Sequence, residues 1–249
     1  MSGRQRIDGQ AAYILHSYAY SETSLILDVF ARDYGRLPLL ARGARRPRSA
    51  LRGVLQAFQP LELAWFGAGE VRTLARAEWL GSMPLLGGTA LMLGYYLNEL
   101  LMKLLPREDA HATLFEAYAA TLQSLAQGKR GNGSGSSAAL LRQFEKTLLR
   151  ELGYGIALER EAVSGAAVLP DNAYHYLIER GPVLASLAAG DETRGQAIRG
   201  KTLLDLAQDD YADPRTLAES KLLMRMLINH YLAGQALQSR RVFMELQEL

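Results

Sequence analysis

Apolar positions in the first eighty residues come as short runs, not as helical stripes. Ala12 to Tyr18 (Ala-Tyr-Ile-Leu-His-Ser-Tyr) is one run and Ser24 to Phe30 (Ser-Leu-Ile-Leu-Asp-Val-Phe) another. Both are rich in residues that favour strands. Asp33-Tyr34-Gly35-Arg36 reads as a hairpin turn, with Leu37 to Ala41 as the return strand. Gly53 to Phe66 and Val71 to Trp79 complete five predicted strands, with Gly67-Ala68-Gly69-Glu70 as the turn between the last two. Five short strands with few helix signals suggest a small barrel. Of five-stranded barrels the OB-fold is the commonest candidate, and it often binds oligonucleotides.

After Gly81 the period changes. Leu93, Leu97, Leu100, Leu101 and Leu104 share one helix face, and Phe115, Tyr118, Leu122 and Leu125 form a second stripe. Gly128 to Ser137 has the composition of a flexible loop. A third helix follows from Ala138, with Leu141, Phe144 and Leu148 inward and Gly153 at its C-cap. Asp213-Pro214 is an N-cap followed by a proline at the first helical position. Met224, Leu227, Ile228 and Tyr231 give that helix its apolar face, and Gly234 ends it. Between 158 and 200 the pattern is mixed; Tyr174 to Glu179 looks like a strand and Arg180-Gly181-Pro182 like a turn. The expected fold class is α+β: a five-stranded OB-fold barrel over 1–80, then a mainly helical domain over 81–249 with a small irregular insertion.

Composition narrows the chemistry. The 249 residues are 49% hydrophobic and 22% charged, the balance of an ordinary globular protein. There is no Cys, so disulfides, thiolate nucleophiles and Cys-ligated zinc are excluded. The N-terminal residues lack the apolar core of a signal peptide. Gly87 to Leu105, the most membrane-like stretch, carries Asn98, Glu99 and Lys103. A soluble cytoplasmic protein is expected.

Charge is unevenly spread. Residues 1–80 hold 11 Arg against 7 Asp and Glu, a balance of +4, while the remainder is acidic. No acid lies between Asp33 and Glu62, a window containing Arg36, Arg42, Arg45, Arg46, Arg48 and Arg52. Guanidinium groups match phosphate geometry, so this is the footprint of a polyanion site. An acidic protein partner would suit the same field. Aromatic rings are interleaved with these arginines, as in proteins that hold single strands by stacking. Most must fill the barrel; Tyr20 and Tyr34, beside turns, are the ones expected to be exposed.

Enzyme signals are weak, and neither catalytic nor metal residues are assigned. Gly195 to Thr202 fits G-x-x-x-x-G-K-[ST], the phosphate-binding loop. It follows polar Asp191-Glu192-Thr193-Arg194 where a buried strand is needed, so a polar turn opening a helix near Leu203 is expected instead. His16, His111, His175 and His230 are scattered, without metal-ligand spacing.

Longer runs carry a resemblance. Tyr20 to Phe30, Tyr34-Gly35-Arg36, Ala41 to Ser49 and Leu55 to Pro60 together resemble the N-terminal domain of the RecO family of bacterial recombination mediators. Leu152-Gly153-Tyr154-Gly155 through Ser164-Gly165, and Gly234 to Arg240 in the pattern Gly-x-x-Leu-x-Ser-Arg, agree with later parts of that family. The resemblance implies an OB-fold and a helical domain without covalent catalysis or cofactor. It implies binding of single- and double-stranded DNA, strand annealing, and help in loading RecA onto strands coated by single-strand binding protein. The implied partners are RecR and the acidic, Phe-ended tail of single-strand binding protein, in a nucleoid-associated setting. Many members hold zinc with four Cys in the region matching 159–185; this chain has none, so packing must hold that segment. Such a tail wants an apolar pocket beside a cation. Leu141, Arg142, Phe144 and Lys146, in the region that resembles the tail-binding face, are the expected contacts. The expected DNA contacts are Arg42, Arg45, Arg46, Arg48 and Arg52, on a loop projecting from the barrel, with Arg36 on the adjoining strand and with Tyr20 and Tyr34.

Overall fold

The computed structural model describes residues 6–81, 83–128, 136–186 and 197–247. Most of the predicted glycine-serine loop, and Gly195 and Gln196 of the phosphate-loop match, lie outside these residues. The chain divides into two compact units, Met1–Gly128 with Ala236–Leu249, and Lys129–Gln235.

The first unit is built on a closed barrel. Its strands are β1 (Arg6–Tyr20), β2 (Ser24–Ala31), β3 (Gly35–Ala41), β4 (Leu61–Phe66) and β5 (Arg72–Trp79), joined in the order β1-β2-β3-β5-β4. β4 closes the ring against β1, and β3 meets β5 in parallel through Leu39–Arg72 and Leu40–Thr73. This is the strand order of an OB barrel, and the N-terminal half of the expected fold stands. Alternate residues point inward: Leu27, Val29, Leu37, Leu39, Leu61, Leu63 and Trp65 form the core. Gly35 opens β3 at φ +66°, and a Cβ there would lie 2.0 Å from the Asp109 carbonyl oxygen, so only glycine fits.

One expected strand is corrected. Gly53 to Phe66 is not continuous: Leu51–Val54 forms a short helix, α1, and β4 begins only at Leu61. Leu51, Val54 and Leu55 fall at i, i+3 and i+4, and all three pack on the barrel core.

Three helices complete this unit: α2 (Gly88–Leu104), α3 (Ala112–Ala126) and α7 (Gln238–Gln247). The compact unit therefore runs past the expected 80/81 boundary. Asn98 of α2, 2% exposed, donates to the Leu15 carbonyl and accepts from the Tyr118 hydroxyl, tying α2 to β1 and α3. Tyr13 and Phe30, on the outer barrel face, meet Phe115 of α3 at centroid distances of 5.4 Å.

The second unit holds α4 (Ser137–Glu151), α5 (Gly200–Ala207), α6 (Pro214–Tyr231) and a sheet of order β7-β6-β8. Its strands are β6 (Ala173–Leu177), β7 (Gly181–Leu184) and β8 (Ile198–Arg199). Gly181-Pro182, expected in a turn, begins β7 instead. Asp213 caps α6 by accepting from the Arg215 amide, with Pro214 at its first turn. The segment without Cys is held by backbone: Glu161 N–H donates to Ala166, Gly165 to Glu161, Val168 to Glu159 and Ala162 to Pro182. Among the described residues no cluster of three or more His, Asp or Glu could hold a metal, and no helix is long and apolar enough to cross a membrane.

Candidate nucleic-acid interface

The basic window divides into two kinds of arginine. Arg36, expected at DNA, is engaged within the fold. Its Nε donates to the Leu105 carbonyl at 3.1 Å, at the C-terminal end of α2, and its Nη1 lies 3.8 Å from buried Asp28. A cation suits that end of a helix. Burial pulls its pKa down, and Asp28 opposes the shift.

Arg42, Arg45, Arg46, Arg48 and Arg52 are all exposed. Their loop does not project freely from the barrel as expected. Arg46 N–H donates to Gly43, Ser49 N–H to Arg46 and Arg52 N–H to Ser49, so consecutive turns coil it into a ledge. Ala44, 1% exposed, plugs the ledge into the barrel core. Arg45 fixes it to the β1–β2 turn: its amide donates to the Thr23 carbonyl and its Nη1 to the Ser21 carbonyl at 3.0 Å.

No described carboxylate pairs with these five arginines. Every other described arginine before residue 80 has one: Arg6 with Asp8, Arg32 with Glu116, Arg36 with Asp28, Arg72 with Glu108 and Arg76 with Glu62. The ledge is thus an uncompensated row of planar donors, suited to phosphate.

The aromatic expectation is half corrected. Tyr20 is 51% exposed. Tyr34 is not a platform: it packs against the core, edge-on to Trp65 at 5.3 Å. Two rings were missed. Tyr18 is 43% exposed, and partial burial with Asp28 beside it raises its phenol pKa. Trp79 is 52% exposed and donates through its Nε1 to Val54 of α1. The signal that hid Tyr18 is a bulge. β1 pairs Ile14 with Val29 but His16 with Asp28, so Leu15 is an extra residue. Strict alternation from Ile14 would send His16, Tyr18 and Tyr20 into the barrel; the bulge turns them outward.

The expected tail contacts sit on α4, within the second unit, and three of them are engaged there. Arg142 bonds Glu145 at 2.6 Å with its side chain 10% exposed. Phe144 is core, 1% exposed. Lys146 donates to the Leu206 and Ala207 carbonyls at the end of α5 and pairs with Asp209 at 2.6 Å. Leu141 is half-buried. An open apolar pocket beside a free cation is not what these side chains make, because α4 turns this face into its own unit.

The phosphate-loop match is likewise a packing motif. Gly200 and Lys201 amides donate to the Asn172 and Pro170 carbonyls. Thr202, fully buried, donates to Glu219 at 2.6 Å. A Cβ on Gly200 would lie 1.9 Å from the Leu169 carbonyl oxygen, which explains the glycine.

An OB barrel carrying an unpaired arginine ledge and outward aromatic rings has the features of a single-strand nucleic-acid-binding module. The family model for recombination protein O, N terminal, matches residues 8–83, and that for its C terminal matches 86–241. The DNA repair protein RecO of Aromatoleum aromaticum is 57% identical over the whole of both chains. That of Dechloromonas aromatica is also 57% identical over both whole chains, and that of Ralstonia nicotianae is 50% identical over 98% of this chain and 86% of its own. The chain belongs to the RecO family of DNA repair proteins.

Proposed function

We propose that the chain is a recombination mediator: it binds single- and double-stranded DNA, anneals complementary strands and helps load RecA onto strands coated by single-strand binding protein. The observation that carries this is the row of exposed arginines, Arg42, Arg45, Arg46, Arg48 and Arg52, without carboxylate partners among the described residues. Such contacts grip phosphate without reading sequence. Annealing follows from the same physics, since screening the repulsion between two strands raises their chance of pairing. The role needs no covalent chemistry and no cofactor. Its protein partners are RecR and the acidic, Phe-ended tail of single-strand binding protein, with RecA engaged indirectly, in the cytoplasm at the nucleoid. No residues are assigned to the tail: Arg142, Phe144 and Lys146 are engaged within their own unit.

The test is annealing of complementary oligonucleotides, followed by fluorescence quenching. The wild type should accelerate it, and the combined Arg45→Ala/Arg46→Ala/Arg48→Ala variant should lose most of the acceleration. Equal acceleration by both would remove the ledge from the mechanism. No acceleration by the wild type would leave an adaptor that binds an acidic protein.

A further inference from the structure

Beside the ledge lies a cavity of about 280 Å³, open to solvent on one side. Leu25 of β2, Ala44 of the ledge, and Leu51 and Leu55 at the two ends of α1 give it apolar walls. Arg45 and Arg52, both exposed, complete the lining. The cavity's volume of about 280 Å³ sits just under the ~300 Å³ at which pockets begin to hold drug-sized molecules. A base ring fits within it. The leucines offer contact to the face of a ring, while the two guanidinium groups offer donors to carbonyl or phosphate oxygens.

We infer that this cavity receives one unstacked base of a single-stranded DNA, the phosphates flanking that base being held by Arg45 and Arg52. The inference rests on the DNA-binding reading above and adds what that reading lacks, a means of telling strands apart. A phosphate-only ledge treats single and double strands alike. A base in a duplex must first leave its partner and its stack, at a cost of a few kcal/mol; a base in a single strand is already free. The charge also favours this occupant. Arg42, Arg46 and Arg48 carry the unpaired row beyond the cavity, which suits an anion that repeats along a chain. Arg45 adds position: it is bonded to Ser21, next to Tyr20, so a strand leaving the cavity meets an exposed ring. α1 is what shapes the site. Were 53–66 a continuous strand, Leu51 and Leu55 would not flank one opening.

The test compares a short oligo-dT with an oligomer of the same length whose sugars are all abasic, so that phosphate number is constant. Affinities are read by anisotropy over a salt series. With the cavity in use, the abasic strand binds about tenfold more weakly, at an unchanged salt slope. A single thymine within an abasic strand should recover most of that loss, because the inference places one base in the cavity. Leu51→Trp, which fills the cavity, should lower oligo-dT to the abasic level. Equal affinities with steep slopes for both strands would overturn the cavity while leaving the DNA reading intact. A thymine preference that survives Leu51→Trp and disappears in Tyr20→Ala would overturn it too, moving the base contact to the hairpin. Absent or salt-flat binding of oligo-dT by the wild type would overturn the DNA reading itself. The single-thymine comparison uses the wild type alone, so a failure of Leu51→Trp to fold leaves the inference testable.

Discussion

Arg36 and Arg45 lie on one acid-free stretch of chain, yet they do different work. Arg36 caps α2 and neighbours buried Asp28; Arg45 stands in solvent with one arm on a turn carbonyl. Composition could not separate them, because the groups that claim Arg36 arrive from residues 28 and 105. The same holds for Lys146, whose carbonyl partners lie some sixty residues further on. Asn98 was legible as polar within an apolar helix, but its role was not. It supplies the donor to a buried β1 carbonyl and the acceptor for Tyr118. Asn98→Leu, close in size, should therefore destabilise the first unit by about 1–3 kcal/mol, the usual cost of stranding a buried polar group. Urea unfolding would read this as a lower midpoint, and an unchanged midpoint would deny the bond its weight.

Among elements, short apolar runs showed the barrel and apolar stripes at helical spacing showed α2 and α3, because both signals are local. What local signals missed came from packing. α1 is short and stands on core contacts of Leu51, Val54 and Leu55; β8 has two residues and exists through pairing with β6. The C-terminal Gly-x-x-Leu-x-Ser-Arg run also gains a physical meaning. Leu237 is buried, and the Gln238 and Ser239 amides with the Ser239 hydroxyl all donate to Glu99 of α2. Burial alone would raise the Glu99 pKa; these donors, with Lys103, outweigh it and hold it below the ordinary value. A carboxylate lowered in the native state contributes stability above its unfolded value and loses that contribution as pH falls through the native one. Glu99→Gln should weaken the docking of α7 by about 1 kcal/mol, as loss of a cap does. Protection of the α7 amides, taken relative to the intrinsic exchange rate at each pH, should fall on acidification in the wild type and depend less on pH in the variant. Identical pH profiles would show that the charge on Glu99 plays no part.

For the whole molecule, the barrel supplies a rigid ring on which two features meet: a bulge that turns Tyr18 and Tyr20 outward, and a ledge whose arginines have no acidic partners among the described residues. Fold class and family were readable in sequence, since barrel runs and motif runs are contiguous. The division into units was not, because α7 returns from the far end of the chain to join the barrel. The central claim is that the ledge binds the phosphates of DNA. Anisotropy of labelled oligo-dT across a salt series tests it directly, on the wild type and on Arg45→Ala/Arg46→Ala/Arg48→Ala. With about four phosphates neutralised on a single strand, log K against log salt should fall with a slope near about −3, at roughly −0.7 per contact. The variant should lose roughly two units of that slope. A wild-type slope near zero, or the same steep slope in both proteins, would contradict the account.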